Sequence, residues 1–115
     1  MAHISPPPLG HQFLPKIWAD WVYRLWTETK KVTIYTQSLN VASVASAATS
    51  EQTFTVTGLT TADTVIVNKP SHNSGLGLVN ARVSAADTLA LTFMNVSGGA
   101  IDPGAETYTI IAIRS

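Results

Sequence analysis

From Ser38 to the C-terminus the chain repeats one device: a short run in which apolar or β-branched residues alternate with Thr or Ser, followed by a cluster of small turn-forming residues. Thr53-Phe54-Thr55-Val56-Thr57, Leu89-Ala90-Leu91-Thr92-Phe93 and Tyr108-Thr109-Ile110 are the clearest runs. A period of two puts alternate side chains on opposite faces of a strand, and it cannot be satisfied by a helix. The pattern predicts strands over 38–44, 51–57, 64–69, 76–83, 88–95 and 106–114. The turn clusters between them are Ser46–Ser50, Gly58–Ala62, Pro70–Gly75, Ser84–Asp87 and Val96–Ala105. Strands this short at this spacing predict a mainly β domain, a small antiparallel β-sandwich of jelly-roll-like kind or a barrel.

Two internal echoes agree with repeated hairpins. Thr61-Ala62-Asp63-Thr64-Val65 is matched by Ala85-Ala86-Asp87-Thr88-Leu89, as one turn recipe used twice, with an Asp hydrogen-bonding nearby backbone as a strand begins. Gln52-Thr53-Phe54-Thr55-Val56 is matched by Glu106-Thr107-Tyr108-Thr109-Ile110, which predicts two strands presenting an aromatic to one core.

The first 36 residues use another vocabulary and divide the chain into an N-terminal segment, 1–36, and a β-domain, 37–115. Pro6, Pro7 and Pro8 favour a stiff polyproline II path, which loses little entropy on docking in a groove. Residues 1–14 read either as a docking arm or as a loose tail, and Leu9, Phe13 and Leu14 favour docking. Pro15 suits the first turn of a helix running to about Lys30. Along it Ile17, Trp18, Trp21, Val22, Leu25 and Trp26 form one broad apolar stripe. Asp20 and Arg24 fall on its polar side in the favourable order, and Lys30 and Lys31 suit its C-terminal end. Burying each large apolar side chain is worth about 1.5–3 kcal/mol, so this stripe requires a covering surface. That surface is the chain's own β-domain, a sister copy or another protein. The 4-3-4 spacing of Leu14, Trp18, Trp21 and Leu25 would serve a short bundle of sister helices. The expected anchor is therefore Pro7, Phe13, Leu14, Ile17, Trp18, Trp21, Leu25 and Trp26.

Composition narrows the function. Only 12% of the 115 residues are charged, about half the usual share, and the formal net charge is zero. A bare surface so poor in charge would be poorly soluble, so some of it is expected to meet other protein. Neutrality also leaves no electrostatic footprint for nucleic acid or anionic lipid. The absence of cysteine rules out disulfides and thiolate metal sites. The N-terminus lacks the basic and apolar regions of a signal peptide, and no apolar run approaches a bilayer's thickness, so the chain reads as soluble and made in the cytoplasm. His3, His11 and His72 are not spaced as metal ligands and read as solvated or backbone-bonded. Asp63 and Asp87 could form a general acid–base pair, but their matched contexts favour turn formation. Ser74-Gly75-Leu76-Gly77 lacks the lysine and helix of a phosphate loop and reads as a flexible turn, as do Gly98-Gly99 and Asp102-Pro103-Gly104. No nucleophile with an orienting base can be assembled, so the expectation is a non-enzymatic protein with no cofactor, metal or small-molecule substrate. Phe54, Phe93 and Tyr108 fall at core-phase positions, which disfavours a glycan platform. Asp20 and Glu28 on the helix's polar face disfavour a membrane-surface role.

The run from Phe54 to Arg114 resembles a small β-domain that recurs in structural proteins of tailed bacteriophages. Thr55-Val56-Thr57-Gly58-Leu59, Val67-Asn68-Lys69-Pro70, Gly75 to Val83, Asp87-Thr88-Leu89, the Asn95–Pro103 loop and Tyr108 to Arg114 carry the resemblance. The Pro-rich segment and Trp-x-x-Trp helix resemble the virion-attachment ends of such proteins more loosely. The resemblance implies a virion component, frequently trimeric, at the tail or a fibre attachment, whose partners are its own copies and other virion proteins. A head-decoration protein on the capsid is the alternative, followed by a receptor- or glycan-binding module. It supplies no active-site residues.

Overall fold

The computed structural model describes residues 31–114, and every regular element among them is a strand. The strands are β1 (Lys31–Val41), β2 (Ala48–Thr55), β3 (Thr64–Asn68), β4 (Leu76–Ala85), β5 (Thr88–Asn95) and β6 (Gly104–Arg114). They form two three-stranded antiparallel sheets, ordered β1-β6-β3 and β2-β5-β4. All six predicted strands are present. The main difference is at the front, where β1 takes in the Val32–Gln37 stretch that reads as a bridge. Val32, Ile34 and Tyr35 place apolar groups on both faces of this strand, so its alternation is masked in the sequence.

Among the described residues the chain changes sheet at every connection except one. Only β4 and β5 are joined as a hairpin between hydrogen-bonded neighbours; the others carry the chain from one sheet to the other. Inward residues of both sheets therefore meet in one core. Leu39, Val41, Tyr108 and Ile110 come from the first sheet, and Leu76, Leu89, Leu91 and Phe93 from the second. Val44, Val56 and Leu59 from the connections complete it. The second echo has the predicted consequence: Phe54 and Tyr108 enter this core from opposite sheets.

The side of the molecule where β1 and β2 are edge strands is held by glutamines. Gln37 Nε2 donates to the Thr55 carbonyl at 2.6 Å. Gln52 Oε1 accepts from the Ala42 amide at 2.7 Å, and its Nε2 donates to the Ala42 carbonyl at 3.0 Å. Edge strand β4 is instead interrupted by register shifts between Leu78 and Asn80 and between Val83 and Ala85. Such irregularities bend an edge away from further pairing.

Candidate interaction surface

Alternation along the first sheet decides what it shows to the outside. Leu39 and Val41 on β1 and Tyr108, Ile110 and Ala112 on β6 point into the core, so the intervening residues point out. These include Val32 and Ile34 on β1, Ile111 and Ile113 on β6, and Ile66 on β3. The register aligns them in two rows. Ile34, Ile111 and Ile66 lie side by side across the three strands, and Val32 and Ile113 lie in the next row with Thr64. Val32, Ile34 and Ile66 are 56%, 65% and 56% exposed, which is unusual for large aliphatic side chains grouped on one face. Further along, the face presents Thr36, Ser38, Asn40, Asn68, Thr107 and Thr109. No outward position of this sheet carries a charge.

Three ion pairs among the described residues are formed elsewhere. On the outer face of the second sheet Arg82 spans β5 diagonally to reach Glu51. Its Nε and Nη2 donate to the two carboxylate oxygens at 2.9 Å each. The neighbouring Ala90 is completely shielded from solvent. Glu106 turns inward and accepts from Lys69 Nζ at 2.8 Å and from the Ser71 hydroxyl. Lys69 also donates to Asn73 Oδ1 at 2.7 Å, so the β3–β4 connection is moored to β6. These bonds from Lys69 and Ser71 lower the Glu106 pKa.

Asp63 and Asp87 both hydrogen-bond backbone, as their turn contexts predict, but they do not use one recipe twice. Asp63 Oδ2 accepts from the Thr60 amide at 3.0 Å, three residues back, at the entrance to β3. Asp87 sits in the β4–β5 hairpin with φ of 59° and reaches a different loop, its Oδ1 accepting from the Gly58 amide at 2.8 Å. The Gly58 carbonyl accepts in turn from Arg114 Nη2 at 3.2 Å. Arg114 Nε and Nη2 also donate to Asp63 at 2.6 and 2.9 Å. The Arg114 hydrogen bonds, followed by the Thr60 amide, hold the Asp63 pKa down to about 2. Gly58 has φ of 107° and lies against the Tyr35 hydroxyl, so this junction requires glycine for both conformation and space. Both aspartates thus act as structural clasps around one loop.

Phe93 and Tyr108 are fully buried, and Phe54 packs partly buried on the core, as their phase in the strands predicts. Tyr35 adds a further aromatic to the β-body and is turned inward against the same core. Gly75 is not the loose turn expected. Its φ is 87°, its carbonyl accepts from the Val96 amide at 2.8 Å, and a Cβ there would come within 2.9 Å of Ser97 Cβ. A shallow depression beside Ala47, Met94 and Val96 has no ionisable group in its lining. Among the described residues no group of three or more His, Asp or Glu side chains is placed to hold a metal ion.

The anchor residues expected from sequence, Pro7, Phe13, Leu14, Ile17, Trp18, Trp21, Leu25 and Trp26, lie outside the described residues. The aliphatic outer face is a second candidate surface, absent from the sequence-based expectations. Its signal was nevertheless in the chain: Val65-Ile66-Val67 and Ile110-Ile111-Ala112-Ile113 are apolar without interruption, the mark of strands covered on both faces. Comparison with protein-family models, curated proteins and solved structures finds no match for the chain.

Proposed function

We propose that this chain is a non-enzymatic structural protein of a tailed-bacteriophage particle. In this reading it is a homotrimer at the tail or a fibre attachment, with residues 1–30 as the anchor and residues 31–115 as the body, since β1 begins at Lys31. One observation carries the assembly part of this reading: the β1-β6-β3 sheet presents an aliphatic, charge-free outer face, while Glu106 and Arg114 of its strands pair with Lys69 and Asp63 and Lys31 falls in the inward phase of β1. A face of that kind gains free energy from contact with other protein and supplies nothing for polar catalysis. The resemblance of Phe54 to Arg114 to phage structural β-domains gives the assembly its setting. Trp18, Trp21 and Trp26 are the residue type that dominates binding energy at protein interfaces.

Two measurements test the reading. Copy number in purified particles is expected to be a few to a dozen or so, whereas hundreds would move the protein to the capsid as a head-decoration component. Trp21→Ala is expected to leave the β-body folded, as judged by circular dichroism, while incorporation into particles or trimer formation is lost. Normal assembly by that variant would remove the anchor from the proposal. Specific retention of the protein on a glycan array would favour a receptor-binding module instead.

A further inference from the structure

We propose that the outer face of the β1-β6-β3 sheet lines a three-fold axis, where it meets the same face of two further copies of this chain. The inference rests on the trimeric reading above and adds the surface that closes the trimer.

A surface that packs on copies of itself must tolerate its own electrostatics, because every group it carries recurs across the interface. The outward positions here are aliphatic, hydroxyl or amide. Within the same strands, Glu106 is occupied by Lys69 and Arg114 by Asp63, and Lys31 at the start of β1 falls in the inward phase, so none of the three lies on this face. The other sheet, by contrast, exposes Glu51 and Arg82.

Strand β6 is the middle strand, and its Ile111 is flanked by Ile34 on β1 and Ile66 on β3. With β6 along a three-fold axis, the three copies of Ile111 meet at the centre. The β1 flank of each copy then faces the β3 flank of the next, bringing Ile34 towards Ile66 of a neighbouring copy. Every exposed aliphatic group in the central row is thereby covered by another.

Dimensions agree with this geometry. Sheets packed face to face lie about 10 Å apart, which sets each sheet about 5 Å from a shared axis. A triangular prism with that inner radius has sides of about 17 Å, and three strands at ~4.8 Å spacing span about 14 Å. The eleven-residue β1 and β6 make the face about 37 Å long, and the five-residue β3 widens it to three strands over about 17 Å of that length, so each copy offers a footprint of about 440 Å². That lies below the ~800 Å² per partner of a standard interface, so one charge at its centre is enough to open it.

The test uses the full chain, with mass measured by sedimentation equilibrium. The unmodified protein is expected at three chain masses and Ile111→Lys at one, with an unchanged far-ultraviolet dichroism spectrum. Because the chain has no cysteine, Thr109→Cys provides an independent probe on the same central line. On oxidation it is expected to give a disulfide-linked two-chain band, while Thr53→Cys on the outer face of the second sheet does not. If Ile111→Lys misfolds, the Thr109→Cys result decides. A folded Ile111→Lys trimer, or a Thr109→Cys trimer that does not cross-link, would overturn the proposed face and leave the trimeric reading standing. A cross-linked protein of two chain masses would overturn the three-fold axis. A wild-type protein of one chain mass would overturn both.

Discussion

Asn95 and Tyr108 are both fully buried polar side chains, and they stand in opposite situations. Asn95 Nδ2 donates to the carbonyls of Val44 and Gly99 at 2.9 Å each. Its Oδ1 accepts from the Ser97 amide at 2.8 Å and the Ser97 hydroxyl at 2.7 Å. One amide thus joins the β1–β2 connection to the β5–β6 connection. Among the described residues the Tyr108 hydroxyl, placed in the core, has no hydrogen-bond partner, and burial pushes its pKa up to about 12. Deleting a satisfied group strands its partners, whereas deleting an unsatisfied one removes a desolvation cost. Asn95→Ala is therefore expected to lose about 3 kcal/mol of stability, because buried amide and carbonyl groups lose their partner. Tyr108→Phe is expected to gain about 1 kcal/mol. Urea unfolding of the two variants beside the parent checks both signs.

At the level of elements, two ion pairs clamp the β3–β6 ladder just beyond its two ends. Arg114 at the end of β6 holds Asp63 in the β2–β3 connection, and Lys69 after β3 holds Glu106 near the start of β6. In both carboxylates the folded state lowers the pKa, from 3.8 to about 2 for Asp63. The folded form then binds fewer protons than the unfolded chain in acid, so this stabilisation is complete above the ordinary carboxyl range. For Asp63 it is lost as the pH falls from 3.8 to about 2. The melting temperature of the parent is expected to fall across that window. Asp63→Asn is expected to begin lower at neutral pH and to decline less steeply there, because the titrating group is gone. Parallel thermal scans of parent and variant across this range would decide it; equal acid slopes would show that the Asp63 clasp contributes little.

The whole molecule is governed by its sheet-to-sheet connectivity. With β4–β5 as its sole hairpin between ladder neighbours, nearly every strand pairing must bring together distant parts of the chain. Non-local pairing delays the contacts that offset loop-closure entropy. Refolding is therefore expected on the millisecond-to-second scale of two-sheet β-proteins, measurable by stopped-flow fluorescence. A microsecond phase accounting for the full signal would contradict it. Much of this architecture was legible beforehand, because period-two alternation and turn residues are local properties. They placed all six strands and put Phe54, Phe93 and Tyr108 on the core side. Local pattern could not assign strands to sheets, since β1 pairs with β6 and β2 with β5 across long stretches of chain. Nor could it separate the repeated Asp motifs, where Asp87 finds its partner in the Gly58 loop. The uninterrupted apolar runs of β3 and β6 mark both their faces as covered, but their alignment into one charge-free aliphatic face depends on cross-strand register. Residue order alone dictates which positions alternate, where the chain turns and how little charge there is to distribute. The three-dimensional fold is what makes Ile34, Ile111 and Ile66 neighbours on a face without charge, because register between distant strands is set by the packing of a shared core.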